Sequence, residues 1–121
     1  QGNVLWYAQD QDFGRKNSIF VNFFGHPAAT ITATSRIAKA GKALVMPITY
    51  FRKDDNSGYI VTVHDPLPIP SGDDAADAQV ANDFIETQLR EHPSQYLWLH
   101  KRFKTTVDPA VKKGSIYGRK K

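Results

Sequence analysis

Apolar residues fall along this chain in separated groups, and their spacing changes from one group to the next. Val4-Leu5-Trp6-Tyr7-Ala8 is an unbroken run rich in aromatic and branched side chains, which predicts a buried strand. A polar corner follows, Gln9-Asp10-Gln11-Asp12-Phe13-Gly14, with Gly14 and Asn17 as turn formers. Ser18-Ile19-Phe20-Val21-Asn22-Phe23-Phe24-Gly25 is a second apolar stretch, read as a short strand or a buried loop. Residues 27–40 read as a helix, with Pro27 in its first turn and Gly41 where a left-handed C-cap belongs. Its small residues, Ala28, Ala29, Thr30 and Ala33 among them, would let that helix lie close against a sheet.

Residues 43–51 form a nearly continuous apolar strand in which Pro47 argues against a central hydrogen-bonded position. Residues 59–64 alternate with period two beyond a polar turn, so the two segments predict a hairpin. A proline-rich connection leads to a second helix over residues 73–91. Asp73, Asp74 and Asp77 load its start, Ala81, Phe84, Ile85 and Leu89 share an apolar face, and Pro93 stops it. Residues 94–105 combine bulky apolar side chains with a cationic end and read as one short helix. The sum is an α/β pattern. Because the chain enters a strand almost at once, a fragment whose sheet lacks strands on its N-terminal side is the expectation.

A chain of 121 residues with 40% hydrophobic and 12% aromatic content is one domain's worth and can bury a modest core. The absence of cysteine excludes disulfides, thiolate metal sites and cysteine nucleophiles. No apolar run approaches the ~18 residues of a membrane-spanning helix. The net charge of +4 is unevenly placed: residues 1–109 carry eleven bases against twelve acids, a net of −1, and the other five bases lie in the tail. Residues 106–121 therefore read as a flexible basic tail, which can favour nucleic acid, anionic lipid or an acidic partner.

Asp10, where the first strand meets its loop, is the first choice for a functional residue, although position alone also permits Asp10 and Asp12 as loop-capping carboxylates. His26, His64, His92 and His100 show no paired metal-ligand spacing, and no metal is expected. There is no Gly-x-Ser-x-Gly elbow and no glycine-rich phosphate loop. His100-Lys101-Arg102-Phe103-Lys104, beside Tyr96 and Trp98, has the charge and aromatic content to grip phosphate or nucleic acid; equally, its aromatics can face a core and its cations water.

Two blocks carry more than a generic α/β pattern. The first runs from Trp6 through Gly14 into the phenylalanine-rich stretch ending at Gly25. The second is Pro93-Ser94-Gln95-Tyr96-Leu97-Trp98-Leu99-His100-Lys101-Arg102-Phe103-Lys104-Thr105. Together with Ala28-Ala29-Thr30 they resemble the second half of the bacterial lipid A biosynthesis acyltransferases of the lauroyl/myristoyl type.

That resemblance implies the C-terminal portion of a glycerolphosphate-acyltransferase-like α/β sandwich over residues 1–105, with a mixed sheet flanked by helices. It implies transfer of a fatty acyl group from acyl carrier protein to a hydroxyl of a lipid A precursor, with no cofactor. The setting would be the cytoplasmic face of the bacterial inner membrane, reached through an N-terminal membrane segment, the piece itself being soluble. The family's His-x-x-x-x-Asp/Glu signature, read as general base and its orienting acid, is absent: Ile31, Ile69, Leu97 and Thr105 stand five positions beyond the four histidines. Asp10 is the family's functional acid that maps onto this chain, and Lys16, Lys101 and Arg102 become candidate contacts to substrate phosphates or to the acidic carrier protein. After Thr105 the family's Arg-Pro continuation is replaced by Thr106-Val107. The rival reading is a non-catalytic module that binds anionic membrane or nucleic acid through its basic end.

Overall fold

The computed structural model describes residues 2–118. Its regular elements are β1 (Ser18–Phe23), β2 (His26–Ile31), α1 (Ala33–Gly41), β3 (Ile48–Arg52), β4 (Tyr59–Val63) and α2 (Asp74–Glu91). β1 pairs antiparallel with β2, and β3 pairs antiparallel with β4, as two separate two-stranded sheets. The chain is thus a small α/β structure, but the expected mixed sheet does not form among the described residues.

The second helix agrees with its sequence signals. Asp73 is the N-cap, and one of its carboxylate oxygens accepts the amides of Ala75 at 2.8 Å and Ala76 at 3.1 Å, a cap worth about 1 kcal/mol. The hairpin also forms, its first strand starting directly after Pro47, whose carbonyl accepts the His64 amide at 2.9 Å.

Three predicted elements differ. Residues 4–8 form no strand: Val4, Leu5 and Trp6 are exposed, and no described strand pairs with them. Their composition favours an extended backbone, but a strand needs a partner for its amides and carbonyls.

The helix predicted from residue 27 begins only at Ala33, because residues 26–31 are β2. Small side chains there serve close packing, as expected, but on a strand. Ala28, Ala29 and Thr30 are fully buried. Pro27, which has no N–H, lies opposite Asn22. The Asn22 amide donates to Gln79 Oε1 at 2.8 Å, and its carbonyl accepts from Gln79 Nε2 and Asn82 Nδ2, both on α2. At the other end of α1, the left-handed residue is Lys42 (φ 47°), and Gly41 is the last helical position.

Residues 94–105 are not one helix. Two 3₁₀ turns, Pro93–Gln95 and Trp98–His100, are followed by Lys101 in the left-handed region (φ 51°). A continuous helix would put Tyr96 and Arg102 on different faces, since six residues turn the chain by ~600°. The broken path lets both point into the body.

The core lies between the β1–β2 sheet and α2. Phe23, Ala28 and Leu89 are buried at its centre, with Phe24, Ile85, Tyr96 and Phe103 packed around them. α1 docks on α2 through a polar contact: the Ser35 hydroxyl donates to the Asp77 carboxylate, whose other oxygen accepts the Ser71 amide at 2.9 Å. Burial alone would raise the Asp77 pKa, but these hydrogen bonds from Ser35 and Ser71 outweigh it and hold the carboxyl below its ordinary value. Among the described residues no helix is long and apolar enough to cross a membrane.

Candidate active site

The polar corner of residues 9–14 is held by the segment that follows α2. Asp12 is 2% exposed. One of its carboxylate oxygens accepts the Gly14 amide at 2.8 Å and the Thr105 hydroxyl at 2.9 Å, while the other accepts the Thr105 amide at 2.7 Å. A carboxylate that receives three donors from groups this fixed acts as a structural tie. Two residues earlier, the Tyr96 hydroxyl donates to the Asp10 carbonyl at 3.0 Å. One residue before that, the Gln9 side-chain oxygen accepts the Thr34 hydroxyl from α1. The corner is therefore pinned from two sides by side chains far along the chain.

Asp10 itself is half-buried, and its carboxylate enters no ion pair or hydrogen bond among the described residues. Its charge is nevertheless felt nearby. The Tyr96 phenol is pushed up to about 12, first by burial and then by the negative charge of Asp10. Chemically, the corner combines one carboxylate consumed by the fold, Asp12, with one left unpaired, Asp10. No group of three or more histidine or acidic residues is placed to hold a metal among the described residues.

Arg102 corrects a sequence expectation. Expected as a phosphate contact, it is 2% exposed and lies inside the core. Its guanidinium donates to the Ala29 carbonyl at 2.7 Å, to the Thr30 hydroxyl at 2.8 Å and to Asn82 Oδ1 at 3.3 Å, and it sits 5.2 Å from the Phe23 ring centre. Burial lowers its pKa, with Tyr96, Asp12 and Asp10 opposing that shift. So placed, the side chain has no face to offer a ligand; it fastens residues 93–105 to β2 and α2.

Lys101 is exposed, with Nζ 6.0 Å from the Tyr117 ring centre, and Lys16 is exposed at the turn before β1. The structure thus turns Arg102 inward and leaves the two lysines exposed. The part of the basic tail that is described, residues 106–118, is tied back to the body: Gly114 N–H donates to the Lys104 carbonyl at 2.6 Å and Phe103 N–H to the Tyr117 hydroxyl at 2.8 Å. The remaining tail bases, Arg119, Lys120 and Lys121, lie outside the described residues. Sequence reasoning missed Tyr96 and Thr105 as positioning groups for the corner. No local signal marks them, because their ties to the corner span 86 and 93 positions.

Comparison with known proteins bears on these same two blocks. The family model described as bacterial lipid A biosynthesis acyltransferase matches residues 1–105, which contain the whole corner and its clamp. The lipid A biosynthesis lauroyltransferase of Escherichia coli (strain K12) is 40% identical over 107 residues, covering 87% of this chain and 35% of that protein. A lipid A biosynthesis acyltransferase of Haemophilus influenzae is 37% identical over 108 residues, again 87% of this chain and 35% of that protein. The E. coli lipid A biosynthesis myristoyltransferase is 32% identical over 106 residues, 87% of this chain and 33% of its own length. The chain spans about a third of the length of the curated relatives it matches. With the match running through every residue of the pinned corner, the chain belongs to the bacterial lipid A biosynthesis acyltransferase family.

Proposed function

We propose that this chain contributes the Asp10 carboxylate and part of the substrate wall to an acyltransferase of lipid A biosynthesis. In that reaction a hydroxyl of a lipid A precursor attacks the thioester carbonyl of an acyl carrier protein conjugate. A base takes the hydroxyl proton, the new ester forms, and the carrier thiol leaves. None of the four histidines here carries the family's acid partner five positions on, so the base belongs to a part of the relatives' length that residues 1–121 do not cover. The work is proposed to take place at the cytoplasmic face of the inner membrane, on a glycerolphosphate-acyltransferase-like α/β sandwich completed by that further chain. No cofactor is required.

One observation supports this reading above the others: within a family-matched corner whose other carboxylate is fully engaged, Asp10 keeps an unpaired charge on a pinned backbone. Such a group can orient a base, pair with a cation or hold a sugar hydroxyl. The test is Asp10→Asn in an acyltransferase of the relatives' length that contains this segment. Shape is kept and charge removed, so kcat should fall by about a hundredfold or more; wild-type activity would reduce Asp10 to a structural residue. Under the same proposal the 121-residue chain alone transfers no acyl group, and robust turnover by it would overturn the assignment of the base elsewhere.

A further inference from the structure

The turn after the corner faces the described part of the tail across a concavity of about 340 Å³. Gly14, Arg15, Thr105 and Thr106 line it together with Lys112 and Lys113. Its two segments are tied together. Arg15 Nη2 donates to the Thr106 carbonyl and, at 2.8 Å, to that of Val107. Lys113 reaches back across the gap: a Cβ placed on Gly14, itself at φ 88°, would stand 3.8 Å from its Nζ.

Three cations therefore line one concavity, and none of them enters an ion pair among the described residues. The nearby carboxylates take neutral donors instead: Asp12 accepts from Gly14 and Thr105, and one oxygen of Asp108 accepts the Ala110 amide at 2.8 Å. The ion pairs among the described residues, Arg36–Asp74 and Arg90–Glu86, lie elsewhere. Like charges gathered without a direct ion-pair partner repel, and an anion placed between them relieves that cost. Arg15 offers the guanidinium donors other than its committed Nη2, the two lysines offer point charges, and the glycine allows close approach of backbone to ligand. A phosphate monoester, with three acceptor oxygens and a charge near −2, fits this donor set best.

We propose that this concavity is a binding site for a phosphate monoester group, gripped by Arg15, Lys112 and Lys113. Thr106, Lys112 and Lys113 lie beyond the family-matched segment, so the match does not cover the whole site. It does not depend on the role assigned to Asp10.

The test uses the 121-residue chain, 15N-labelled, titrated at pH 7.5 and low ionic strength with inorganic phosphate and with glycerol 3-phosphate. Sodium chloride at matched ionic strength is the control. Saturable amide shifts confined to Gly14, Thr105, Thr106 and Lys113 are expected. Lys113→Gln and Lys112→Gln should each weaken binding about tenfold, the loss of roughly one charge-assisted contact, while Lys39→Gln on α1 leaves it unchanged. A second arm uses phosphatidylcholine vesicles with and without phosphatidic acid. Capture that requires phosphatidic acid and is lost in Lys113→Gln, with no response to soluble monoester, assigns the phosphate to a lipid headgroup. Saturation by soluble monoester assigns it to a free ligand. Shifts that never saturate, or that are the same in Lys113→Gln as in the parent chain, overturn the site.

Discussion

The body of this molecule and its β3–β4 hairpin are both rich in apolar residues, yet they treat their surfaces in opposite ways. In the body, buried polar groups are matched to one another: Arg102 with Ala29, Thr30 and Asn82, Asp12 with Gly14 and Thr105, Asp77 with Ser35 and Ser71. Among the described residues, Ser18 Oγ is the one buried side-chain oxygen or nitrogen left without a partner. The hairpin has the reverse character. Ile48, Tyr50, Tyr59, Ile60, Val61 and Val63 are all more than half exposed. It touches the body along one side, where Gln95 exchanges hydrogen bonds with the backbone of Arg52 and the Phe51 ring lies 4.1 Å from that of His92.

The difference shows where specificity resides in this chain. Apolar burial is generic, and a single methyl group more or less is tolerated on the open hairpin. A buried guanidinium is not, because each acceptor it serves would be left dry and unpaired. The body is thus defined by polar matching, and the corner that carries Asp10 belongs to that matched set.

The sharpest way to break the comparison is Arg102→Met, which keeps length and removes the charge. It strands the Ala29 carbonyl and the Asn82 side-chain oxygen inside the core and should cost about 3 kcal/mol. In urea that is a midpoint lower by roughly 2 M for a chain of this size. A midpoint within error of the parent would show that the guanidinium network carries no stability. At the other extreme, Ile60→Thr on the outer strand of the hairpin should change stability by less than ~0.5 kcal/mol in the same titration. A loss as large as that of Arg102→Met would mean that the hairpin is buried in solution.

The same contrast explains how much was legible in the sequence. α2 was readable because Asp73 and Pro93 mark its ends locally, and the hairpin because alternation and a polar turn are local too. β2 was misread as helix because small residues signal close approach without saying by what; the answer, Arg102 and Asn82, stands 73 and 52 positions away from their partners Ala29 and Thr30. Residues 4–8 were misread because composition reports extended backbone but cannot supply a pairing strand. Asp10 was singled out from its place between an apolar run and a loop, whereas the groups that pin that corner, Tyr96 and Thr105, act across separations of 86 and 93 residues. Local pattern carries no trace of such ties.

The central claim is that the segment after α2 holds the carboxylate corner through Asp12 and leaves the Asp10 carboxylate unpaired. Amide hydrogen exchange at Gly14 and Thr105, measured in the parent chain and in Asp12→Asn, tests it most directly. Both amides donate to the same carboxylate, so both should be protected in the parent and lose protection together, by about tenfold or more, in the variant. Hairpin amides should be unchanged. A Thr105 amide that exchanges at the unprotected rate in the parent chain would contradict the clamp.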